Sequence, residues 1–308
     1  MLAGWLLAEK PFLLFRGTGC RHARAVPPLR PEEIRRAVRA ALAEDIGSGD
    51  VTTLATVPAS AKIVAVLRAR EPLVVAGLAF AETAFRQLSP SVRIKRLARD
   101  RQAVQAGAGL LRISGAARAV LGAERVALNF VQRLSGVATI TARFVREIRG
   151  TGARVLDTRK TTPGWRRFEK YAVACGGGCN HRLGLYDMVL IKDNHLAALR
   201  AAQPNAIAAA VQRARRFCSQ LKIEVEADTL AQVAQAAEAG ADIVLLDNMT
   251  TAQLRRAVKI VGDRAQTEAS GGVNLKTVRA IAQTGVDFIS IGALTHSARA
   301  VDIGLDFE

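Results

Sequence analysis

The sequence predicts an α/β protein in two parts: a mixed α+β segment, then repeated βα units that favour closure into a parallel barrel over an open doubly wound sheet. Three observations carry this prediction. Half of the 308 residues are hydrophobic and 23% are charged, enough apolar material for one large domain or two modest ones. Short strands and helices mix irregularly up to about residue 120. From about residue 150, short apolar runs recur with their ends roughly 20 to 35 residues apart, the length of one βα unit.

Taken in order, residues 1–30 carry five basic residues and one acid, with Glu9 and Lys10 interrupting their apolar patch and no small-residue cleavage site after it. They read as a poorly ordered N-terminal extension. Pro31 opens a helix with acids in its first turn, and Gly47 and Gly49 end it in a polar turn spanning Glu44 to Thr53. Lys62 to Arg68, the run around Val74 and Val75, and Val92 to Leu97 read as strands, with a helix from Leu78 to Leu88. A long helix is expected from Glu124 through Leu134. The six later runs are Ala153 to Asp157, Asp187 to Ile191, Lys222 to Glu226, Asp242 to Leu246, Arg264 to Glu268 and Asp287 to Ile291.

Charge narrows the function classes. The chain holds 44 Lys and Arg against 27 Asp and Glu, a formal net charge of +17. Its densest basic cluster, Arg93, Lys95, Arg96, Arg99 and Arg101, has no interleaved aromatics, and aromatics are 5% of the chain, so platforms for stacked bases are scarce. A basic nucleic-acid-binding protein is the distant alternative. Small anionic substrates suit the charge better, because a positive cleft concentrates them. No apolar run approaches the ~20 residues of a spanning helix, so no membrane partner is expected. Four cysteines in a chain this long make no disulfide framework, and a reducing cytoplasm follows as the expected location.

In parallel barrels the reactive groups lie just past the carboxyl ends of the strands. Those positions hold Asp157, Arg159 and Lys160; Lys192, Asp193, Asn194 and His195; Glu224 and Glu226; Asp247 and Asn248; Ser270, Gly271 and Gly272; and Gly292 and Ala293. Arg159 suits bidentate grip of a carboxylate and Lys160 a point charge on a phosphate. Glu224 and Glu226 share a strand face. Gly176, Gly177 and Gly178 permit a left-handed turn and close approach of backbone to a ligand, with His181 and Arg182 just beyond. Ser270 to Gly272 and Ser290 to Ala293 fit the phosphate-binding loops at the end of a barrel, and His296 adds a donor nearby. A cysteine nucleophile or metal centre is not expected, since the thiols and histidines lack a completing set of partners.

At these residues the chain resembles the quinolinate phosphoribosyltransferases, the carboxylating nicotinate-nucleotide pyrophosphorylases of NAD biosynthesis. The matching segments are Glu44 to Thr53, Glu124 to Asn129, Leu134 to Thr139, Asp157 to Gly164, Lys170 to Val173, Gly176 to Leu185, Leu190 to His195 and Thr295 to Ser297. The resemblance covers about residues 31 to 308. It implies an N-terminal α/β sandwich over 31–135, an incomplete α/β barrel with parallel strands over 136–294, and a C-terminal segment, 295–308, returning to the first domain.

It also implies a pentosyltransferase that moves phosphoribose from phosphoribosyl pyrophosphate to quinolinate with decarboxylation, giving nicotinate mononucleotide, pyrophosphate and CO2. The alternative on the same scaffold is a related pyridine phosphoribosyltransferase or a molybdenum-transport-associated homologue. Carried over by motif, Arg125 from the adjacent subunit, Arg159, His181, Arg182 and Lys192 hold quinolinate. Lys160, Glu226, Asp247, Ser270, Gly271, Gly272, Gly292 and His296 serve the phosphoribosyl donor, with Lys160, Glu226 and Asp247 closest to the chemistry. Mg²⁺ is expected with the donor, bound mainly through that substrate, with Glu226 and Asp247 as the side chains nearest to it. A homo-oligomer, dimer or hexamer, with active sites shared between subunits is implied as well.

Overall fold

The structure, a computed structural model, describes residues 28–308, so the expected N-terminal extension lies almost wholly outside the described residues. Helix α1 (Pro31–Ile46) starts at a proline, and Glu33 in its first turn turns back to accept from the Arg30 backbone N–H at 2.9 Å. The Glu44 to Thr53 stretch contains more than the expected turn, because Asp50 accepts from the Thr53 N–H at 3.0 Å and caps a short helix α2 (Val51–Thr56). Strands β1 (Lys62–Ala69), β2 (Leu73–Val74), β3 (Arg93–Arg96), β4 (Ala103–Val104) and β5 (Gly109–Ala116) surround helix α3 (Leu78–Leu88). Strand β5 was not among the sequence-predicted strands.

Helix α4 (Ala117–Glu147) has 31 residues, well beyond the expected span, and at 1.5 Å per residue reaches about 46 Å. It spans the expected boundary at 135/136, so the two parts of the chain share one continuous helix. Its small residues allow close packing against α5 (Arg166–Cys175) and the chain after it. At Gly176 a Cβ would lie 2.3 Å from the Ala138 carbonyl oxygen on α4. The glycine triplet was expected to let backbone approach a ligand, but at this position the close approach is to a helix.

The remaining elements alternate: β6 (Arg154–Leu156), β7 (Val189–Ile191), α6 (Asp193–Ala197), α7 (Ala206–Phe217), β8 (Ile223–Ala227), α8 (Leu230–Glu238), β9 (Ile243–Asp247), α9 (Thr251–Val261), β10 (Gln266–Ser270), α10 (Val278–Ala282), β11 (Phe288–Ser290), α11 (Ala293–His296) and β12 (Ile303–Phe307). All six sequence-predicted barrel strands form. They pair in parallel in the order β6-β11-β10-β9-β8-β7, and among the described residues no pairing joins β7 back to β6. The barrel is therefore incomplete. At the β6 edge, Cys179 bridges in parallel to Leu156, so the segment leading to His181 and Arg182 enters beside the opening.

The separate antiparallel sheet runs β12-β1-β5-β3, its first strand supplied by the C-terminus. Two features tie the parts together. Phe80, Phe130 and Trp165 stack at 4.8 and 4.9 Å between centroids, joining α3, α4 and the loop before α5. Asp100 accepts from the Gly77 and Leu78 N–H groups at the start of α3 and from the Tyr171 hydroxyl on α5. Among the described residues no helix is long and apolar enough to cross a membrane.

Candidate active site

The loop after β6 carries Arg159 and Lys160, and its shape is set by a buried acid. Glu169, fully buried on α5, accepts from the Thr162 N–H at 3.0 Å and from Arg133 at 2.6 Å. Arg133 also donates to the Thr295 and Ala298 carbonyls, and the Thr295 hydroxyl donates to the Lys160 carbonyl at 2.6 Å. One network thus holds the Lys160 loop against the helix that ends at His296. Lys160 and His296 converge on Gly292, where a Cβ would stand 3.0 Å from the imidazole and 3.1 Å from the lysine chain.

A second network sets the segment with His181 and Arg182. Asp157 and Lys170 are both fully buried and paired. Asp157 also accepts from the Asn180 amide at 2.6 Å and the His181 N–H at 2.8 Å, while Lys170 donates to the His181 carbonyl at 3.0 Å. Burial pushes Asp157 up and Lys170 down in pKa, and their mutual attraction works against both shifts. The backbone around His181 is therefore gripped from both sides. Sequence reasoning gave neither Asp157 nor Lys170 a role of this kind.

Beyond this clamp the cations are left open. The Nε atoms of Arg159 and Arg182 are buried and without a hydrogen-bond partner. Burial lowers the pKa of Arg182, and the neighbouring Arg159 charge lowers it further. Two guanidinium groups held close and partly unpaired form a receptor for an anion.

Beneath them lies a buried trio. His181 Nε2 is 3.0 Å from Glu224 and 3.7 Å from Glu268, and both glutamates are buried. Burial and the nearby Glu224 push Glu268 up to about 8, so it holds a proton at neutral pH. Burial opposes a charged His181, while negative charge on Glu268 or Glu224 favours it, so the three groups titrate as one coupled unit with the imidazole pushed upward. The trio offers the atoms of a metal site. However, His181 Nδ1 accepts the Arg182 N–H at 2.7 Å, a bond that only the neutral imidazole can make, and in that form Nε2 carries the proton and faces the glutamates as a donor. Protons satisfy this cluster. Glu268 escaped sequence reasoning, and the available signal was an acid inside an otherwise buried strand.

Farther along the rim the charges are already paired. Lys192 donates to Glu226 at 2.7 Å. Asp247, one strand over, accepts from Asn248 at 2.6 Å. A cavity of about 490 Å³ is lined by Lys160, Asp247, Ser270, Gly271, Gly272, Gly292 and His296 among others. Gly271 and Gly272 have φ of +97° and +60°, as the turn there requires. The structure thus gathers seven of the eight expected donor-side residues at one cavity, with Glu226 on the neighbouring strand. Arg125 lies exposed on α4 and makes no hydrogen bond or ion pair with the rim of its own chain. Cys175 is a buried thiol whose pKa burial pushes up to about 12, so it supplies no thiolate at neutral pH.

The chain is similar to known proteins over most of its length. Residues 50–135 and 137–306 match the family models described as quinolinate phosphoribosyl transferase, N-terminal domain and C-terminal domain. The chain is 43% identical over 278 residues to the nicotinate-nucleotide pyrophosphorylase (carboxylating) of Mycobacterium leprae, covering 88% of this chain and 96% of that one. It is 40% identical over 299 residues to the chloroplastic nicotinate-nucleotide pyrophosphorylase (carboxylating) of Arabidopsis thaliana, covering 92% and 85%. The structure of the nicotinate-nucleotide pyrophosphorylase from Francisella tularensis superposes with a TM-score of 0.87 at 40% identity, covering 93% of this chain and all of that one.

Proposed function

The chain belongs to the quinolinate phosphoribosyltransferase family, and we propose that the rim described above divides that reaction between its two flanks. The enzyme transfers phosphoribose from phosphoribosyl pyrophosphate to quinolinate with loss of CO2, giving nicotinate mononucleotide for NAD biosynthesis. In our reading Arg159, Arg182, His181 and Lys192 receive the two carboxylates of quinolinate. The observation that carries this is the juxtaposition of the Arg159 and Arg182 guanidinium groups, each with an unpartnered Nε, a local excess of positive charge that a dianion would neutralise. Lys160, Ser270, Gly271, Gly272, Gly292 and His296 receive the donor's phosphates, and Asp247 and Glu226 its ribose.

The chemistry follows from charge. Two polyanions repel unless cations lie between them. Loss of pyrophosphate leaves positive charge on the ribose ring, which Asp247 and Glu226 are placed to stabilise. After transfer the pyridinium nitrogen withdraws electrons, the C2 carboxylate leaves as CO2, and nearby cations stabilise the carbanion that remains. Catalysis is by positioning and preorganised charge, with no protein nucleophile required. When bound with the donor, Mg²⁺ would supply neutralisation of pyrophosphate charge, with Asp247 and Glu226 as the side chains to hold that complex. The Asp247 carboxylate beside the cavity suits an approach to that complex, since Asn248 occupies one of its oxygens and leaves the other available.

The exposed Arg125 supports a shared site, one subunit's α4 reaching its neighbour's quinolinate pocket within a dimer or larger assembly. We propose a cytoplasmic location for this chain, in contrast to the Arabidopsis relative, which is named chloroplastic. The deciding experiment incubates the protein with quinolinate, phosphoribosyl pyrophosphate and Mg²⁺, and follows labelled CO2 and nicotinate mononucleotide together. Product from nicotinate without CO2 release would instead indicate a nicotinate-type transferase.

A further inference from the structure

Strand β9 ends at Asp247, and the next residue breaks a general rule of backbone geometry. Asn248 has φ +52°, and among the described residues only Arg101 shares a positive φ without being glycine. A left-handed conformation costs a side-chain-bearing residue on the order of 1 kcal/mol, and asparagine tolerates it better than most. Such residues persist where the surroundings over-determine them, commonly at functional sites.

Three contacts over-determine Asn248. Its N–H donates to the Ser270 carbonyl at 3.0 Å, extending the β9–β10 ladder by one residue past the paired Ser270 and Asp247. Its side-chain amide donates to Asp247 Oδ2 at 2.6 Å. Its Oδ1 occupies the space above Gly271, where a Cβ would come within 2.1 Å of it. Gly271 must therefore be glycine for two reasons, its φ of +97° and the amide resting on it. Asp247, Asn248 and Gly271 all line the cavity that also holds Lys160 and His296.

We propose that Asn248 is a positioning residue for the phosphoribosyl donor, orienting the Asp247 carboxylate and fixing the Gly271 turn in one piece. It acts through its neighbours, and this role rests on the donor-side reading given above. Free rotation of Asp247 would spread its oxygens over several positions, and donor binding would have to select one of them. The amide makes that selection in advance.

Because Asn248 is exposed, its substitution should leave the fold intact. Asn248→Gly keeps the left-handed turn at no conformational cost but deletes the amide. Asn248→Asp keeps the size and turn preference but sets a second carboxylate against the first. For Asn248→Gly, the expected result is a KM and a dissociation constant for phosphoribosyl pyrophosphate about tenfold higher, as for loss of one hydrogen bond to a charged group. KM for quinolinate should stay within about twofold and the melting temperature should be unchanged. Asn248→Asp should weaken donor binding further.

A residue that served only the turn would give the opposite pattern, with Asn248→Gly binding donor as the unmodified protein does. That result overturns the proposal while leaving the enzyme reading standing. An unmodified protein that forms no nicotinate mononucleotide would overturn both.

Discussion

The two flanks of the rim are built on opposite principles. On the quinolinate side, Arg159 and Arg182 are held close together with their Nε atoms buried and unpartnered. On the donor side, both acids already have a partner: Glu226 accepts from Lys192, and Asp247 accepts from Asn248. Behind both lie the fully satisfied networks of Asp157 with Lys170 and Glu169 with Arg133. The difference shows where folding energy is kept and where it is withheld. Interior charges are neutralised so that the loops hold their shape, whereas the two arginines that we propose receive the dianion are left incompletely partnered.

Substitutions can break this contrast at either end. The largest effect is expected behind the rim. Lys170→Met would leave Asp157 buried without its cation, at a cost of about 3 to 5 kcal/mol, measured by denaturant unfolding. A loss below 1 kcal/mol would show that the clamp is dispensable.

Arg159→Ala attacks the open flank. Its rate should fall on the order of 10²-fold, by analogy with deleting one electrostatic stabiliser, while the unfolding midpoint moves little. Near-normal turnover at saturating substrate would remove Arg159 from the quinolinate site.

Glu268→Gln sharpens the comparison through pH. Burial and the adjacent Glu224 raise Glu268 to about 8 in the folded protein against 4.5 in its unperturbed state. Between those values the native state holds a proton that the unfolded chain has lost. Its contribution is therefore present at low pH and declines as pH rises through this window. The variant should lose that decline, so its stability relative to the parent should improve from pH 5 to pH 8 in unfolding curves. Parallel curves would mean that Glu268 does not carry the proton.

The smallest effect lies away from the rim, where Asp50→Ala should lower the unfolding midpoint slightly through loss of the α2 cap, with turnover unchanged.

Local patterns made much of this legible in advance. The six barrel strands were visible because each is a short apolar run closed by polar or glycine residues. The rim residues were visible because barrel chemistry collects at strand ends. Strand β5 was harder to see, since Gly109 and the Gly115-Ala116 end interrupt its apolar character and its partner β1 is distant in sequence. Helix α2 was hidden inside a segment whose glycines and Asp50 read as a turn, although the same aspartate is also a good cap. Gly176 was assigned a ligand when it needed a neighbouring helix, because a sequence shows that a side chain is absent but not what occupies its place.

The chain's own composition and order determined the succession of βα units, the excess of positive charge and the residue types available at each strand end, since these depend on local periodicity and turn chemistry. Only the tertiary structure decided which charges would be satisfied and which left open. Whether Lys170 meets Asp157, Glu268 meets Glu224, or Arg159 meets no acceptor at its Nε depends on pairs separated by many residues and brought together by packing. Hydrogen bonding and desolvation act at distances of a few ångströms, and those distances exist only once the chain has folded.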